Sequence, residues 1–327
     1  MSEWKVEVIK LGEITRHENA DNLEITKVLG GYPCIMKSGQ FKPNDLAVYI
    51  PVDSLVNKDN QRFAFLGDHL RIKAKRLRGV FSMGLLIPAE SDMKEGEDVA
   101  ERLGITKYEP PLEGTGFGGG QDDVSPPFAM NVYTDIEGLR RWQDVLVPGE
   151  EVIFVEKVHC ENMRVSVDEN RLWVGSRTRI KKLDGTGGWV KAAHKFQLEE
   201  KLRRINRKIV LYGESAGYTG GFPYGVAKGD VGFFAFDIFD RELGRYVDFD
   251  EFLKLTDIME VPIAPVLYRG PWSMEKAFEL AEGQSTIDNR HVREGVVIRP
   301  VKERWHDELG RTILKLHGEG FLTNKHS

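Results

Sequence analysis

Short alternating apolar runs fill the early part of the chain. In "NLEITKVLGGYPCIMKSGQFKPNDLAVYIPVDSLV" apolar residues recur at every second position (Leu23, Ile25; Leu46, Val48, Ile50), and Gly30-Gly31 and Pro43-Asn44-Asp45 separate the runs. A period of two marks strands with one buried face, and these interruptions mark turns, so a small all-β domain, a barrel, is expected here. "RIKAKRLRGVFSMGLLIP" continues it; read as one strand it would send Arg71, Lys73 and Lys75 to the same side. Such a face suits a phosphate backbone, and equally a solvated edge whose lysines discourage aggregation.

Proline and glycine then displace every pattern in "EPPLEGTGFGGGQDDVSPP", Glu109 to Pro127. This segment reads as a linker, giving domains 1–125 and 126–327. Beyond it, Thr134 or Asp135 is expected to N-cap a helix through "IEGLRRWQDVL", and Pro148-Gly149 turns the chain into the buried strand "EEVIFVEK", which ends at Lys157. "RLWVGSRTRIKK" reads as a further strand and "KFQLEEKLRRI" as an amphipathic helix. "KIVLYGE", "VGFFAFDIF", "REGVVIRP" and "TILKLHG" read as strands. Strands with intervening helices and few parallel crossover signals predict an α+β domain on antiparallel sheets.

Composition narrows the function classes. With 41% hydrophobic and 30% charged residues over 327 positions, the chain is globular and long enough for two cores. A net charge of -5 argues against bulk coating of nucleic acid while leaving room for a local basic groove. Two cysteines, Cys34 and Cys160, exclude a disulfide framework and a cysteine zinc site. The start "MSEWKVEVIK" lacks a signal-peptide core and no run is long enough to span a bilayer, so a cytoplasmic protein without membrane attachment is expected.

Taken singly, the polar residues at strand ends have ordinary explanations. A lysine at a strand end usually snorkels, a lone histidine is usually structural, and a strand phenylalanine is usually core. Their order changes this. "KVHCEN", "SRT", "YGE", "FFAFD", "EGVV" and "LKLH" resemble the nucleotidyltransferase motifs of covalent ligases, and Lys-x-His-x-x-Asn is closest to RNA ligases. "HENADNLEITKV" and "GQFKPNDLAVYIP" resemble the oligonucleotide-binding (OB) modules that bind tRNA or precede some RNA ligases. The whole is similar to the Deinococcus-type RNA ligases, which implies an all-β OB-like barrel followed by an α+β, ATP-grasp-like nucleotidyltransferase domain.

The resemblance implies ATP-dependent joining of 3'-hydroxyl and 5'-phosphate ends through a lysyl-AMP intermediate on Lys157. A covalent intermediate divides one hard displacement into easier ones. The attacking amine must be neutral, a form that positive charge from Lys315, Arg177 and bound Mg2+ is expected to favour. His159 and Lys315 join Lys157 in catalysis. Glu156, Asn162, Arg177, Glu214, Phe236 and Lys315 bind the nucleotide, with Asn162 and Glu214 on the ribose and Phe236 stacking on adenine. The neighbours Phe233, Phe234 and Phe239 are expected in the core or on the other face. Glu294 is the expected ligand for Mg2+, with Mn2+ as a substitute, and Arg164 and Arg177 are candidates for the substrate phosphate. Arg179, Lys181 and Lys182 read as wet surface.

The implied partner is nicked or broken RNA, in duplex with RNA or DNA, with no obligate protein partner. Two departures stand out: His317 replaces the second motif lysine, and Cys160 replaces a glycine, the default where backbone takes positive φ or approaches a ligand. Two alternatives remain open at this stage. One is a DNA ligase or GTP-using capping enzyme, families that place the OB domain after the transferase; the other is an impaired nucleic-acid-binding homologue.

Overall fold

The computed structural model describes residues 4–29, 31–108, 121–184, 187–217 and 224–323. Gly30 of the expected turn and residues 109–120 of the expected linker lie outside them.

The N-terminal part is β-rich, as its period of two predicts. Glu7–Lys10, Leu46–Ile50 and Leu85–Pro88 form one three-stranded antiparallel sheet, and Ile14–Arg16, Leu23–Val28 and Tyr32–Lys37 another. Val8, Val48 and Ile50 point into one apolar cluster with Phe63 and Leu103, while Ile9, Ala47 and Tyr49 enter a second with Cys34 and Phe41. Strand alternation feeds both sides of the sheet.

The basic run from Arg71 is not one strand. Arg71–Ile72 pairs with Ser54–Leu55, and Lys75–Leu77 turns back on Val80–Ser82. Arg78 and Gly79 both have positive φ (50° and 90°), the tight hairpin turn that an x-Gly pair favours. Arg71 is thereby held on the Asp53 carboxylate at 2.6 Å and over the Tyr108 ring at 3.9 Å, so the common face of Arg71, Lys73 and Lys75 does not form.

The second part builds two antiparallel sheets. One runs in the order Ile180–Lys181, Leu172–Gly175, Glu161–Val167, Ile209–Gly217, Val231–Asp240, Arg245–Tyr246. The other runs Glu137–Gly138, Leu314–His317, Gly295–Pro300, Glu151–Glu156, Val266–Pro271, with only the first pairing parallel. Val152, Ile153 and Phe154 are fully buried. At about 1.5–3 kcal/mol for each such side chain, burial fixes where the strand ends and therefore where Lys157 emerges.

Three local expectations change. "IEGLRRWQDVL" forms no long helix: Glu137–Gly138 pairs with Leu314–Lys315, and a single 3-10 turn follows at Leu139–Arg141. Gly138 weakens a helix, and a Cβ there would lie 2.8 Å from Tyr32 Oη of the N-terminal part. "RLWVGSRTRIKK" is a hairpin rather than one strand, closed where Ser176 N donates to Arg179 O. The helix expected over "KFQLEEKLRRI" starts later, at Leu198–Arg204, and a second helix, Gly188–Lys195, precedes it, with left-handed Gln197 between them. Both pack on the six-stranded sheet through Val190, Leu198 and Leu202.

Gln121–Asp123 already belong to the second part. Asp122 bridges to Lys181, and Lys182 N donates to Gln121 O. The two parts meet through Arg76 and Glu319 (3.0 Å), and through Arg140, which donates to Gly31 O.

Candidate active site

The Glu151–Glu156 strand is paired on both edges, and its last backbone contacts are Glu156 N to Pro265 O (2.8 Å) and Lys157 N to Gly295 O (2.9 Å). Lys157 therefore leaves the sheet beside Glu294, and its Nζ donates to Glu294 Oε1 at 2.6 Å. The glycine of "EGVV" is required: at φ 154° a Cβ on Gly295 would meet Leu316 O at 2.1 Å. "YGE" has its own reason, since a Cβ on Gly213 would strike the Phe233 ring at 2.4 Å.

Glu294 is surrounded by Lys157 and two histidines. His159 Nδ1 lies 3.4 Å from its Oε2 and His317 Nε2 lies 3.5 Å from its Oε1. Burial alone would raise its carboxyl, but the Lys157 charge and the two histidines outweigh this and hold it well below the usual carboxylate range. Burial lowers His317, keeping the imidazole neutral at pH 7, and burial together with the Lys157 charge lowers Lys315.

A cavity of 380 Å3 opens between the two sheets. Asn162, Glu214 and Phe236 line it from the six-stranded sheet; Lys157, Val297, Arg299 and Lys315 line it from the other. Asn162 and Glu214 are directly opposite in register. Among the described residues, Asn162 Oδ1 and Glu214 Oε2 are buried with no hydrogen-bond partner, which leaves two acceptors ready for a ligand's hydroxyls. Burial pushes the Glu214 carboxyl well up, against the lowering effect of Lys157. Phe236 meets Tyr133 edge-on at 4.8 Å, leaving it half-buried with a face on the cavity, whereas Phe233 is core and Phe234 and Phe239 are half-buried.

Several of the predicted residues are held by partners of their own. The Glu156 carboxylate is buried and turned onto Ser285 and Thr286, in a residue that also lines the cavity. Arg164 is buried and donates to the Met130 and Ser176 carbonyls, a strut rather than a free fork for phosphate. Arg177 lines the cavity paired with Asp135. Lys181 is buried on Asp122 rather than wet.

Cys160 is not in the left-handed region. Its half-buried side chain packs with Val158, Tyr224 and Ala264, and burial raises its thiol. Cys160→Gly is therefore expected to change the rate of adduct formation with ATP by less than about twofold and to lower thermal stability slightly, by about 1 kcal/mol or less. A large acceleration in rapid-quench labelling would mean that the cysteine does strain the turn.

Other cavity residues carry no motif that singles them out. Lys107 comes from the N-terminal part, and Asp135 and Ile136 precede the Glu151–Glu156 strand. Beneath them Asp237 is fully buried between Arg299 Nη1 (2.8 Å) and Arg311 Nη2 (2.7 Å) and accepts from Tyr133 Oη (2.7 Å). Arg299 Nη2 is buried without a partner among the described residues. The signal for Arg299 was present in "EGVVIRP", where strand alternation puts it on the same face as Val297.

The Glu294 carboxylate beside Lys157 is a hard oxygen ligand, which suits a hard divalent cation. Among the described residues no three His, Cys, Asp or Glu side chains form a metal-holding group. A cation would therefore take Glu294 plus phosphate oxygens and waters, the habit of Mg2+.

Residues 150–317 match the family model described as RNA ligase, just over half of the chain, and residues 5–89 match the PHA02142 OB-fold domain. No curated protein matched the chain. Similar solved structures include an RNA ligase of Naegleria gruberi, as a mutant with ATP and Mn, at 26% identity and TM-score 0.81 over 97% of each chain. The same organism's RNA ligase with PPi gives 26% and 0.81 over 98% of each, and a mutant with AMP and Mn gives 26% and 0.80 over 97% of each.

Proposed function

The chain belongs to the RNA ligase family, and from that premise we propose that it is an ATP-dependent RNA ligase whose adenylylated residue is Lys157. The observation that carries this is the Lys157 amine at the mouth of a nucleotide-sized cavity, 2.6 Å from Glu294. The relatives solved with ATP, AMP and Mn support the choice of nucleotide and of a divalent metal.

In this reading adenine lies between Phe236 and Val297, with Arg299 offering its unpaired Nη2, and the ribose hydroxyls donate to Asn162 and Glu214. Lys157 Nζ attacks the α-phosphorus: an N–P bond forms, the P–O bond to pyrophosphate breaks, and the amine loses a proton to solvent or His159. A 5'-phosphate oxygen of RNA then attacks the same phosphorus and releases the lysine, and the 3'-hydroxyl finally displaces AMP. Lys315 stabilises charge on the α-phosphate, with neutral His317 beside it as a hydrogen-bond donor. Glu294 would hold a divalent cation, which would supply positive charge to the phosphates when bound.

The finer assignments belong to the same proposal: a Deinococcus-type arrangement, a cytoplasmic setting, breaks held in duplex with RNA or DNA, and a domain boundary within residues 109–120. The last rests on Tyr108 N bonding Asp53 O on one side and Asp122 pairing with Lys181 on the other. The test is incubation with ATP radiolabelled at the α-phosphate and Mg2+, followed by denaturing electrophoresis, with labelled GTP and with DNA 3' ends as comparisons. A protein adduct with ATP and sealing of RNA 3' ends is expected. Oligonucleotide binding without any adduct would instead identify an impaired homologue.

A further inference from the structure

Glu156, the residue before Lys157, is hydrogen-bonded to the loop that leads into Glu294. Strand alternation turns Glu156 to the face opposite Lys157, where its carboxylate is 2% exposed. There it accepts from Ser285 Oγ (2.5 Å), Thr286 N (2.8 Å) and Thr286 Oγ1 (2.5 Å), with Arg293 Nε 3.7 Å away. Residues 283–293 form a closed loop: Gln284 bridges to Val292, Ser285 N donates to His291 O, and Arg293 N donates to Gly283 O. The Arg293 guanidinium fastens the base of this loop to the Leu280, Glu282 and Gln284 carbonyls. The residue that follows is Glu294.

Adenine and ribose contacts do not require a carboxylate at 156, and an apolar side chain would satisfy a buried strand end. Three donors converging on one buried carboxylate specify an anion there. Lys157 is thus joined to Glu294 from both sides of the strand end: by backbone, through Lys157 N and Gly295 O, and by side chain, through Glu156 and the loop.

We propose that Glu156 is a positioning residue for lysine adenylylation, setting the distance between Lys157 and Glu294 through Ser285 and Thr286. This rests on the reading of Lys157 as the nucleophile. A misplacement of about 1 Å at a reacting centre costs on the order of 100-fold. Glu156→Gln, which presents an amide N–H2 to donors, is expected to slow adduct formation by about 10- to 100-fold. The KM for ATP should stay within about twofold, because glutamine keeps the size and shape of the side chain and the residues proposed for adenine and ribose are unchanged. Sealing of RNA already carrying a 5'-adenylate, which bypasses attack by the lysine, should persist.

The second variant, Ser285→Ala/Thr286→Val, removes two donors without altering the strand or the site. It should slow adduct formation in the same direction, and combining it with Glu156→Gln should add less than the sum of the two. An adduct rate equal to wild type in the double variant overturns the proposal. So does a parallel fall in adduct formation, ATP affinity, sealing of adenylylated RNA and melting temperature, which would make the contact merely structural. If Lys157→Ala still becomes labelled, the underlying reading fails instead, so the two failures are distinguishable.

Discussion

Lys157→Ala is expected to leave the protein unlabelled by ATP and to reduce ATP-driven joining by on the order of 10^4-fold or more, as removal of a covalent nucleophile does elsewhere. Joining of RNA that already carries a 5'-adenylate should survive, since that step displaces AMP without an N–P bond. The contrast between these two assays is the decisive measurement. The variant also removes the cation nearest a carboxylate that is only 7% exposed, leaving Glu294 to His159 and His317. Some loss of stability is therefore expected, and Lys157→Met, which keeps the aliphatic stem, controls for lost packing. A persistent adduct in Lys157→Ala would transfer the role to another amine, and Lys315 is the other lysine of the same motif set lining the cavity.

The largest effect on stability is expected at Asp237. Its carboxylate is fully buried and joins Arg299, Arg311 and Tyr133, and Glu303 completes the cluster by accepting from both arginines. Removing one partner of a buried charge group costs about 3–5 kcal/mol, because the charges left behind remain desolvated. Asp237→Ala should therefore unfold at markedly lower urea concentration, with Phe236 and the cavity wall disordered first. Burial would raise this carboxyl, but the two guanidiniums outweigh burial and leave it depressed. Its contribution is thus present above the unfolded carboxyl value of about 3.9 and disappears as pH falls below that toward the depressed folded value. Wild-type stability measured by urea titration should drop steeply below about pH 4, and Asp237→Asn should show a shallower drop. Equal slopes would remove Asp237 from the acid response.

Much of this site was written in the order of its motifs. The strand "EEVIFVEK" ends at Lys157, "YGE" places Glu214 across from Asn162, and "FFAFD" presents Phe236 to the cavity while Phe233 enters the core. These are consequences of strand periodicity, where one residue's direction fixes its neighbours'. The family reading, the OB-fold module and the antiparallel α+β domain followed from the same patterns, and the family and fold matches agree with them.

What was not legible depended on partners distant in sequence. Nothing in "IEGLRRWQDVL" says that Gly138 lies against Tyr32, yet that contact and the pairing of Glu137–Gly138 with Leu314–Lys315 replace the expected helix. Arg164 looked like a phosphate fork until Met130 and Ser176 supplied carbonyls from elsewhere. Whether Cys160 strained its turn was a question about φ, which a residue's identity does not set.

By itself the sequence determined the class of chemistry through the order of its motifs, which resembles that of RNA ligases, and strand alternation keeps each motif side chain on a fixed face. Only the tertiary structure decided which of two adjacent glutamate-bearing elements meets the Lys157 amine. Glu156 and Lys157 are neighbours in the chain but point apart across the sheet, whereas Glu294 is 137 residues away and 2.6 Å from the amine. The pleat separates the first pair, and antiparallel pairing of Glu151–Glu156 with Gly295–Pro300 joins the second.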